Sequence, residues 1–280
     1  MKSLYESLLA GKVSKPSAKV QPDSKEELRQ LISEHIEEIK PRPGQEVDLN
    51  WIDISRVDNL SELFEDTKYI PVIDTWKIDH VKIFISMFAG NEYITRSPLP
   101  VLQEKLLSDN CYMGMFIGCT NLEEPPVLPA KKLTKRCYTS MFHGCTSLVY
   151  APQLPATELA YSCYRSMFAG CRKLERAPEL PAKILAPYCY HEMFENCSGL
   201  QTAPQLPATE MASECYAAMF YGCSNLKCAP ELPATKLANR CYQDMFANCE
   251  SLEERAKLPP GVTLDYVSTI NMYRGCPNIK

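Results

Sequence analysis

The feature that most constrains the fold of this chain is an internal repeat, whose regular copies begin at Cys111, Cys137, Cys163, Cys189 and Cys215. These five copies follow one another without a gap up to Arg240, for example CYTSMFHGCTSLVYAPQLPATELAYS at 137–162. A sixth copy begins at Cys241 and degenerates after Pro260, and weaker copies around Leu63, Met87 and Met272 flank the regular ones. A unit of this length buries its apolar face only by stacking on its neighbours, so we expect about nine stacked coils of 24–28 residues.

Each copy predicts one short helix and one short extended segment. In TELAYSCYRSMFAGC (157–171), Thr157 is the expected N-cap and Gly170 the expected stop, while apolar residues at i, i+4 and i+8 form one face. In LERAPELP (174–181), Leu174, Ala177 and Leu180 are the expected inward residues of the extended segment. The pattern therefore favours an α/β repeat fold wound as a right-handed solenoid.

The repeat motif MFxGCxxLxxAPxLPAT resembles the bacterial leucine-rich repeats of the BspA-like surface proteins. Around residues 51–64 the chain is similar to the related DUF285 repeat family, through Trp51, Ser55, Val57, Leu60, Leu63 and Phe64. The resemblance covers residues 49–279. It implies a leucine-rich-repeat solenoid that is commonly extracellular and adhesive.

The chain divides into three parts. Residues 1–22 are expected to be an N-terminal segment and flexible linker, 23–48 a helical cap, and 49–280 the solenoid, with regular repeats over 111–260 and a degenerate cap over 261–280. In the second part, DSKEELRQLISEHIEEIK (23–40) predicts a helix with a capping box at Ser24 and Glu27, stopped by PRPG (41–44). His35 lies on its apolar face and is expected to pack there.

The fourteen cysteines allow disulfides, metal ligation or packing. Seven of them share a column that holds Asn91 and Thr67 in the earlier coils, and asparagine does not extend a zinc site. We therefore expect this column to form a buried ladder that contacts backbone groups of neighbouring coils. The column that begins Cys111 and Cys137 is expected to be a small apolar core position, and Cys228 an exposed thiol.

A column of tyrosines beside the core cysteines allows an aromatic binding strip or a packing role. The column consists of Tyr112, Tyr138, Tyr164, Tyr190, Tyr216 and Tyr242. Its spacing favours packing, with each hydroxyl anchored by a hydrogen bond.

Charge and motifs exclude several classes of function. The net charge of −4 argues against a nucleic-acid-binding surface, and no apolar run is long enough to insert into a membrane. The chain shows no secretory signal, which predicts a cytoplasmic location, whereas the resemblance implies the cell surface, and a virion is a further alternative. No catalytic, phosphate-binding or zinc-protease motif occurs, so we expect no enzyme activity and no cofactor.

Variable columns are the candidates for binding a protein or glycan, because the fixed columns build the scaffold; the alternative for any one column is a solvated polar face without a ligand. We call these fourteen residues the variable surface: Glu123, Glu124, Val149, Tyr150, Gln153, Glu175, Arg176, Glu179, Gln201, Thr202, Gln205, Lys227, Cys228 and Glu231. The alternative is a structural protein of a virion or envelope complex, docked or self-assembled through residues 3–10. The apolar residues of that candidate docking segment are Leu4, Tyr5, Leu8 and Leu9, and the same residues fit a frayed terminus equally well.

Overall fold

A computed structural model describes residues 19–99, 101–262 and 266–279. Its one α-helix in this part of the chain, α1, spans Lys25–Ile39, as predicted. Ser24 Oγ accepts a hydrogen bond from the Glu27 N–H (3.1 Å), while the Glu27 carboxylate accepts one from the Asp23 N–H (2.8 Å). Lys40, in the left-handed region, ends the helix just before PRPG.

The helix packs its apolar face on the first coils. Leu28, Leu31 and Ile32 are buried, and the ring of His35 makes an edge contact with Trp51 at 5.2 Å. The packing role predicted for His35 is confirmed, and partial burial lowers its pKa.

Parallel pairing joins consecutive copies along the extended segments. β1 (Glu46–Asp48) pairs in parallel with β2 (Ile70–Val72), in the register Val47↔Pro71. Farther along, single parallel bridges join equivalent residues of neighbouring copies, such as Tyr150↔Arg176 and Thr202↔Cys228. The prolines on either side lack the N–H that a longer ladder needs. Parallel pairing also begins before the predicted repeat region, since Val20 bridges Ile52. A short 3₁₀ helix spans Glu104–Leu106.

The helix predicted in each copy is wrong. Over the described residues, the segments equivalent to 136–145 are chains of tight turns, which we call turn segments. Every fourth residue lies in the left-handed region, as at Arg136 (φ 54°), Ser140 (54°) and Gly144 (74°). A four-residue turn places apolar residues at i, i+4 and i+8 on one side, so its sequence pattern matches that of a helix.

Backbone hydrogen bonds explain why the turn segments form. One N–H bonds within its own turn, as from Met141 to the Tyr138 carbonyl (3.3 Å). The next N–H along bonds to the following copy, as from Tyr138 to the Cys163 carbonyl (3.0 Å) and from Phe142 to the Met167 carbonyl (2.9 Å). A left-handed conformation costs a non-glycine residue about 1–2 kcal/mol. Pairing every buried N–H offsets that cost, because an unpaired one is also expensive.

The core consists of ladders of identical residues. The phenylalanine rings from Phe64 to Phe246, followed by Tyr273, stack with ring centroids 5.3–5.8 Å apart. The tyrosine rings stack in the same way at 5.7–6.3 Å and are buried, so the packing role is confirmed. The predicted hydroxyl anchor is wrong for Tyr138 and Tyr190, whose hydroxyl groups are buried without a hydrogen-bond partner.

The cysteine ladder is confirmed. Each thiol in this column donates to a phenylalanine carbonyl of the preceding coil, as from Cys145 Sγ to the Phe116 carbonyl (3.1 Å). The same contact recurs at 3.0–3.1 Å for Cys119, Cys171, Cys197, Cys223, Cys249 and Cys276. In the earlier coils Asn91 Nδ2 donates to Thr67 Oγ1 (2.9 Å), and Thr67 donates to the Phe64 carbonyl (3.0 Å). The other cysteine column is buried as well, and every cysteine is a free thiol.

These ladders establish a repeat fold with one continuous core from Leu28 to Met272.

Candidate interaction surface

The variable surface lies at the solvent-exposed side of the extended segments. Thirteen of its fourteen residues are exposed, and Val149 is half-buried. Just before each pair, a buried leucine such as Leu148 or Leu174 anchors the segment in the core. The local pattern therefore holds the backbone in place while the neighbouring side chains are free to vary.

Parallel bridges align the second residue of each pair into a column. Tyr150 bridges Arg176, Thr202 bridges Cys228, and Cys228 bridges Glu254. Arg96 bridges Glu124 and extends the same column toward the N-terminal coils. The structure thus brings together side chains that are one full copy of the repeat apart in sequence.

Two grooves open along this side of the molecule. The first, of about 440 Å³, has apolar walls from Ile70, Pro71, Val72, Pro98 and Pro125, and polar groups of Glu46, Asp74, Arg96, Ser97 and Glu124. The second, of about 480 Å³, lies within the variable surface and is lined by Glu175, Arg176, Gln201, Thr202 and neighbouring alanine and proline residues. Val127 (57% exposed) and Tyr150 (59% exposed) add apolar area to the same side.

The charged side chains of the variable surface make no ion pairs with described residues. The variable surface carries five carboxylates (Glu123, Glu124, Glu175, Glu179 and Glu231) and two cations, Arg176 and Lys227. The described ion pairs within 4.0 Å all lie elsewhere, on α1, on the turn segments or on other columns. The variable surface therefore carries an excess of negative charge, and none of its charged groups lies within 4.0 Å of an opposite charge among the described residues.

Cys228 is exposed, as predicted, between Thr202 and Glu254 in the bridged column. The twelve buried thiols differ from it. Burial raises the pKa of the Cys145 thiol well above its ordinary value and that of Cys171 to about 12. A high pKa keeps a thiol protonated and unreactive at neutral pH.

A polar cluster on the turn segments escaped the sequence reasoning. His191 Nδ1 lies 3.4 Å from Glu192 Oε2, and its Nε2 lies 3.6 Å from Glu214 Oε2. Ser166 Oγ donates to Glu192 (2.8 Å), and the Tyr188 hydroxyl donates to Glu214 (2.9 Å). The contact with His191, assisted by the Ser166 hydrogen bond, lowers the pKa of Glu192 to about 2.

The cluster was missed because His191 does not recur in its column. Its members come from two copies: Ser166 and Tyr188 belong to the copy 163–188, whereas His191, Glu192 and Glu214 belong to the copy 189–214. The polar residues of the cluster can be found by comparing equivalent positions of successive copies, since Ser166, Glu192 and Ala218 share one column. The polar groups of this cluster mainly contact one another, so we assign it a structural role.

No group of three or more His, Cys, Asp and Glu side chains that could hold a metal ion occurs among residues 19–99, 101–262 and 266–279. The candidate docking segment (Leu4, Tyr5, Leu8 and Leu9) lies outside the described residues.

Comparison with known proteins gave no match to a family model, to a curated protein or to a solved structure. No helix in the described part of the chain is long and apolar enough to cross a bilayer.

Proposed function

We propose that this chain is a non-enzymatic binding scaffold that recognises a protein or glycan through the variable surface. We also propose that the repeat fold is a right-handed leucine-rich-repeat solenoid of the BspA-like type. Its role would be in adhesion or host interaction.

The observation that carries the proposal is the separation of constant and variable positions. The Cys, Tyr, Met and Phe columns are buried and repeat in every regular copy, as with Met141 and Phe142. The exposed pairs that follow the buried leucines differ from copy to copy, although the backbone there is held in register by parallel bridges. A regular backbone that presents different side chains at each step supports recognition of an extended ligand.

The chemistry of the surface supports binding rather than catalysis. Its carboxylates are exposed to solvent, and none lies within hydrogen-bonding distance of a described histidine, cysteine or serine side chain. General acid–base or nucleophilic catalysis needs such a contact, usually in a site that excludes water. Shallow grooves with mixed apolar and polar walls suit the recognition of a partner.

The test compares three forms of the protein against a displayed random peptide library and a glycan array. The first is the unchanged chain. The second carries Tyr150→Ala, Arg176→Ala and Gln201→Ala on the variable surface. The third is a control with Glu158→Ala and Glu210→Ala, two exposed positions on another bridged column.

Ligands that bind the unchanged chain and the control, but not the surface variant, are the expected result. Ligands that bind all three forms equally would place recognition elsewhere and contradict the proposal. Circular dichroism of the three forms separates loss of binding from loss of folding.

A further inference from the structure

The spacing of charges on the variable surface carries information about the partner. Gln153, Glu179, Gln205 and Glu231 of the variable surface occupy one column, in which Val127 is the equivalent residue of the copy before Gln153. All five are exposed. An apolar side chain and two carboxylates therefore occur at every second copy, separated by neutral amides.

Stacking converts this order into distances. Copies joined by parallel bridges lie about 4.8 Å apart. Two copies therefore span about 10 Å, and the distance from Val127 past Glu179 to Glu231 is about 19 Å. A polyproline II segment advances about 3.1 Å per residue with three residues per turn. Every third side chain of such a segment faces the same way, about 9 Å from the last.

The two periods match, since three residues of polyproline II cover the same length as two copies of the repeat. A segment that runs along the stack can therefore place one side chain on Val127, a second on Glu179 and a third on Glu231. The segment stays in step with the copies from Val127 to Glu231, because six residues of polyproline II also advance about 19 Å.

Charge selects the side chains of that segment. The carboxylates of the variable surface have no cationic partner within the described chain, whereas the carboxylates of the other columns include several that do, such as Glu158 with Lys132 (2.9 Å). A polyanion such as nucleic acid or an acidic glycan would be repelled, and a neutral glycan would leave the charges uncompensated. A basic polypeptide compensates them.

We propose that the variable surface binds a basic, extended polypeptide segment with the pattern apolar-x-x-basic-x-x-basic, where basic is lysine or arginine. The inference rests on the proposed function and specifies the chemistry of its partner. The apolar side chain of the segment contacts Val127, and the two cations contact Glu179 and Glu231. Proline-rich x positions favour binding, because they set the extended conformation before contact.

The test uses fluorescein-labelled peptides and fluorescence polarisation. Two in-step probes have the sequences Leu-Pro-Pro-Lys-Pro-Pro-Lys and Lys-Pro-Pro-Lys-Pro-Pro-Leu, one for each direction along the stack. An out-of-step probe of the same composition, Leu-Pro-Lys-Pro-Pro-Pro-Lys, is the matched peptide control. The protein forms are the unchanged chain, Glu179→Gln with Glu231→Gln, Val127→Ser, and Glu210→Gln as the matched control for lost charge.

We expect one in-step probe to bind at least several-fold more tightly than the out-of-step probe. Raising the salt concentration from about 50 mM to about 500 mM weakens binding, because exposed ion pairs are screened. The double glutamate variant loses about tenfold in affinity, and Val127→Ser loses less, while Glu210→Gln binds as the unchanged chain does.

Equal binding of in-step and out-of-step probes would overturn the spacing argument, and equal losses in Glu210→Gln would overturn the assigned site. If no basic probe binds, while library or glycan ligands still depend on Tyr150, Arg176 and Gln201, this inference fails and the proposed function stands. If no ligand depends on those residues, both fail.

Discussion

Replacing one cysteine in each of the two buried columns tests the ladder directly. Cys145 and Cys137 belong to the same copy and are both fully buried. Cys145 Sγ donates to the Phe116 carbonyl of the preceding coil (3.1 Å), whereas the polar contacts of Cys137 Sγ include Thr134, three residues earlier in the chain. A serine hydroxyl therefore finds a backbone carbonyl in place at position 145, whereas at position 137 it meets Thr134, whose hydroxyl already donates to the Ser108 carbonyl (2.8 Å).

The expected magnitudes follow from that difference. At position 145 the new hydrogen bond offsets most of the cost of burying a hydroxyl, so Cys145→Ser lowers the free energy of unfolding by about 1 kcal/mol. At position 137 the buried hydroxyl is poorly satisfied, and Cys137→Ser costs about 2–3 kcal/mol. With a urea m-value of about 3 kcal/mol per M, the second change lowers the unfolding midpoint by about 0.8 M.

Urea unfolding followed by circular dichroism measures both midpoints, and alanine variants supply the control. Alanine removes the thiol without adding a polar group, so Cys137→Ala is expected to be more stable than Cys137→Ser. At position 145 the order reverses, because alanine loses the bond to the Phe116 carbonyl. The same order of serine and alanine at both positions would refute the distinction between ladder and core.

Three further measurements test other parts of the structure. Thiol titration of the native protein is expected to detect Cys228 rapidly and the half-buried Cys276 more slowly, with all fourteen thiols reacting after unfolding; several fast thiols would contradict the burial of the ladders. Gly144→Ala is expected to cost about 1–2 kcal/mol in thermal unfolding, because φ is 74° although the added methyl group has room; a neutral effect would exclude the left-handed turn. Because the pKa of Glu192 is about 2 when folded, below its ordinary 4.5, its carboxylate stabilises the fold above about pH 4.5, and this contribution disappears as the pH falls toward 2. Glu192→Gln should therefore be less stable than the unchanged chain at pH 7 and equally stable near pH 2, and a constant difference across this range would contradict the network.

The sequence predicted the columns of the core more successfully than the backbone that carries them. Met141, Phe142 and Cys145 were expected to be buried, and they are. The period of the repeat determines which side chains meet across copies, whatever the local conformation. For this reason the ladder of Cys145 on the preceding coil could be inferred from Asn91 and Thr67 alone.

The turn segments could not be predicted, because two local structures share one pattern. Gly170 was read as a helix stop, and its φ of 74° agrees with that reading and with a turn. The residues that distinguish the two are Ser162 and Ser166, which adopt positive φ without being glycine. Hydrogen bonds to the next copy impose that conformation, and a single copy read in isolation contains no sign of them.

The variable surface was predicted as a set of exposed columns; thirteen of its fourteen residues are exposed and Val149 is half-buried, while its role in binding stays a prediction. The His191 cluster was not predicted, since Ser166 and Tyr188 of one copy meet Glu192 and Glu214 of the next only in the folded stack.

The hydrogen-bond register of the copies also determines how this molecule can change in length. Each internal copy presents carbonyls at the same places as the copy that follows it. A chain lacking residues 163–188 would place the Cys189 carbonyl where Tyr138 now finds that of Cys163. The Cys197 thiol would likewise reach the Phe142 carbonyl, which Cys171 now occupies. Whole copies of the repeat can therefore be inserted or lost without new core contacts. A change of one or two residues must instead be taken up within a single coil, as where the Cys119 thiol still reaches the Phe88 carbonyl across a longer coil of the same stack.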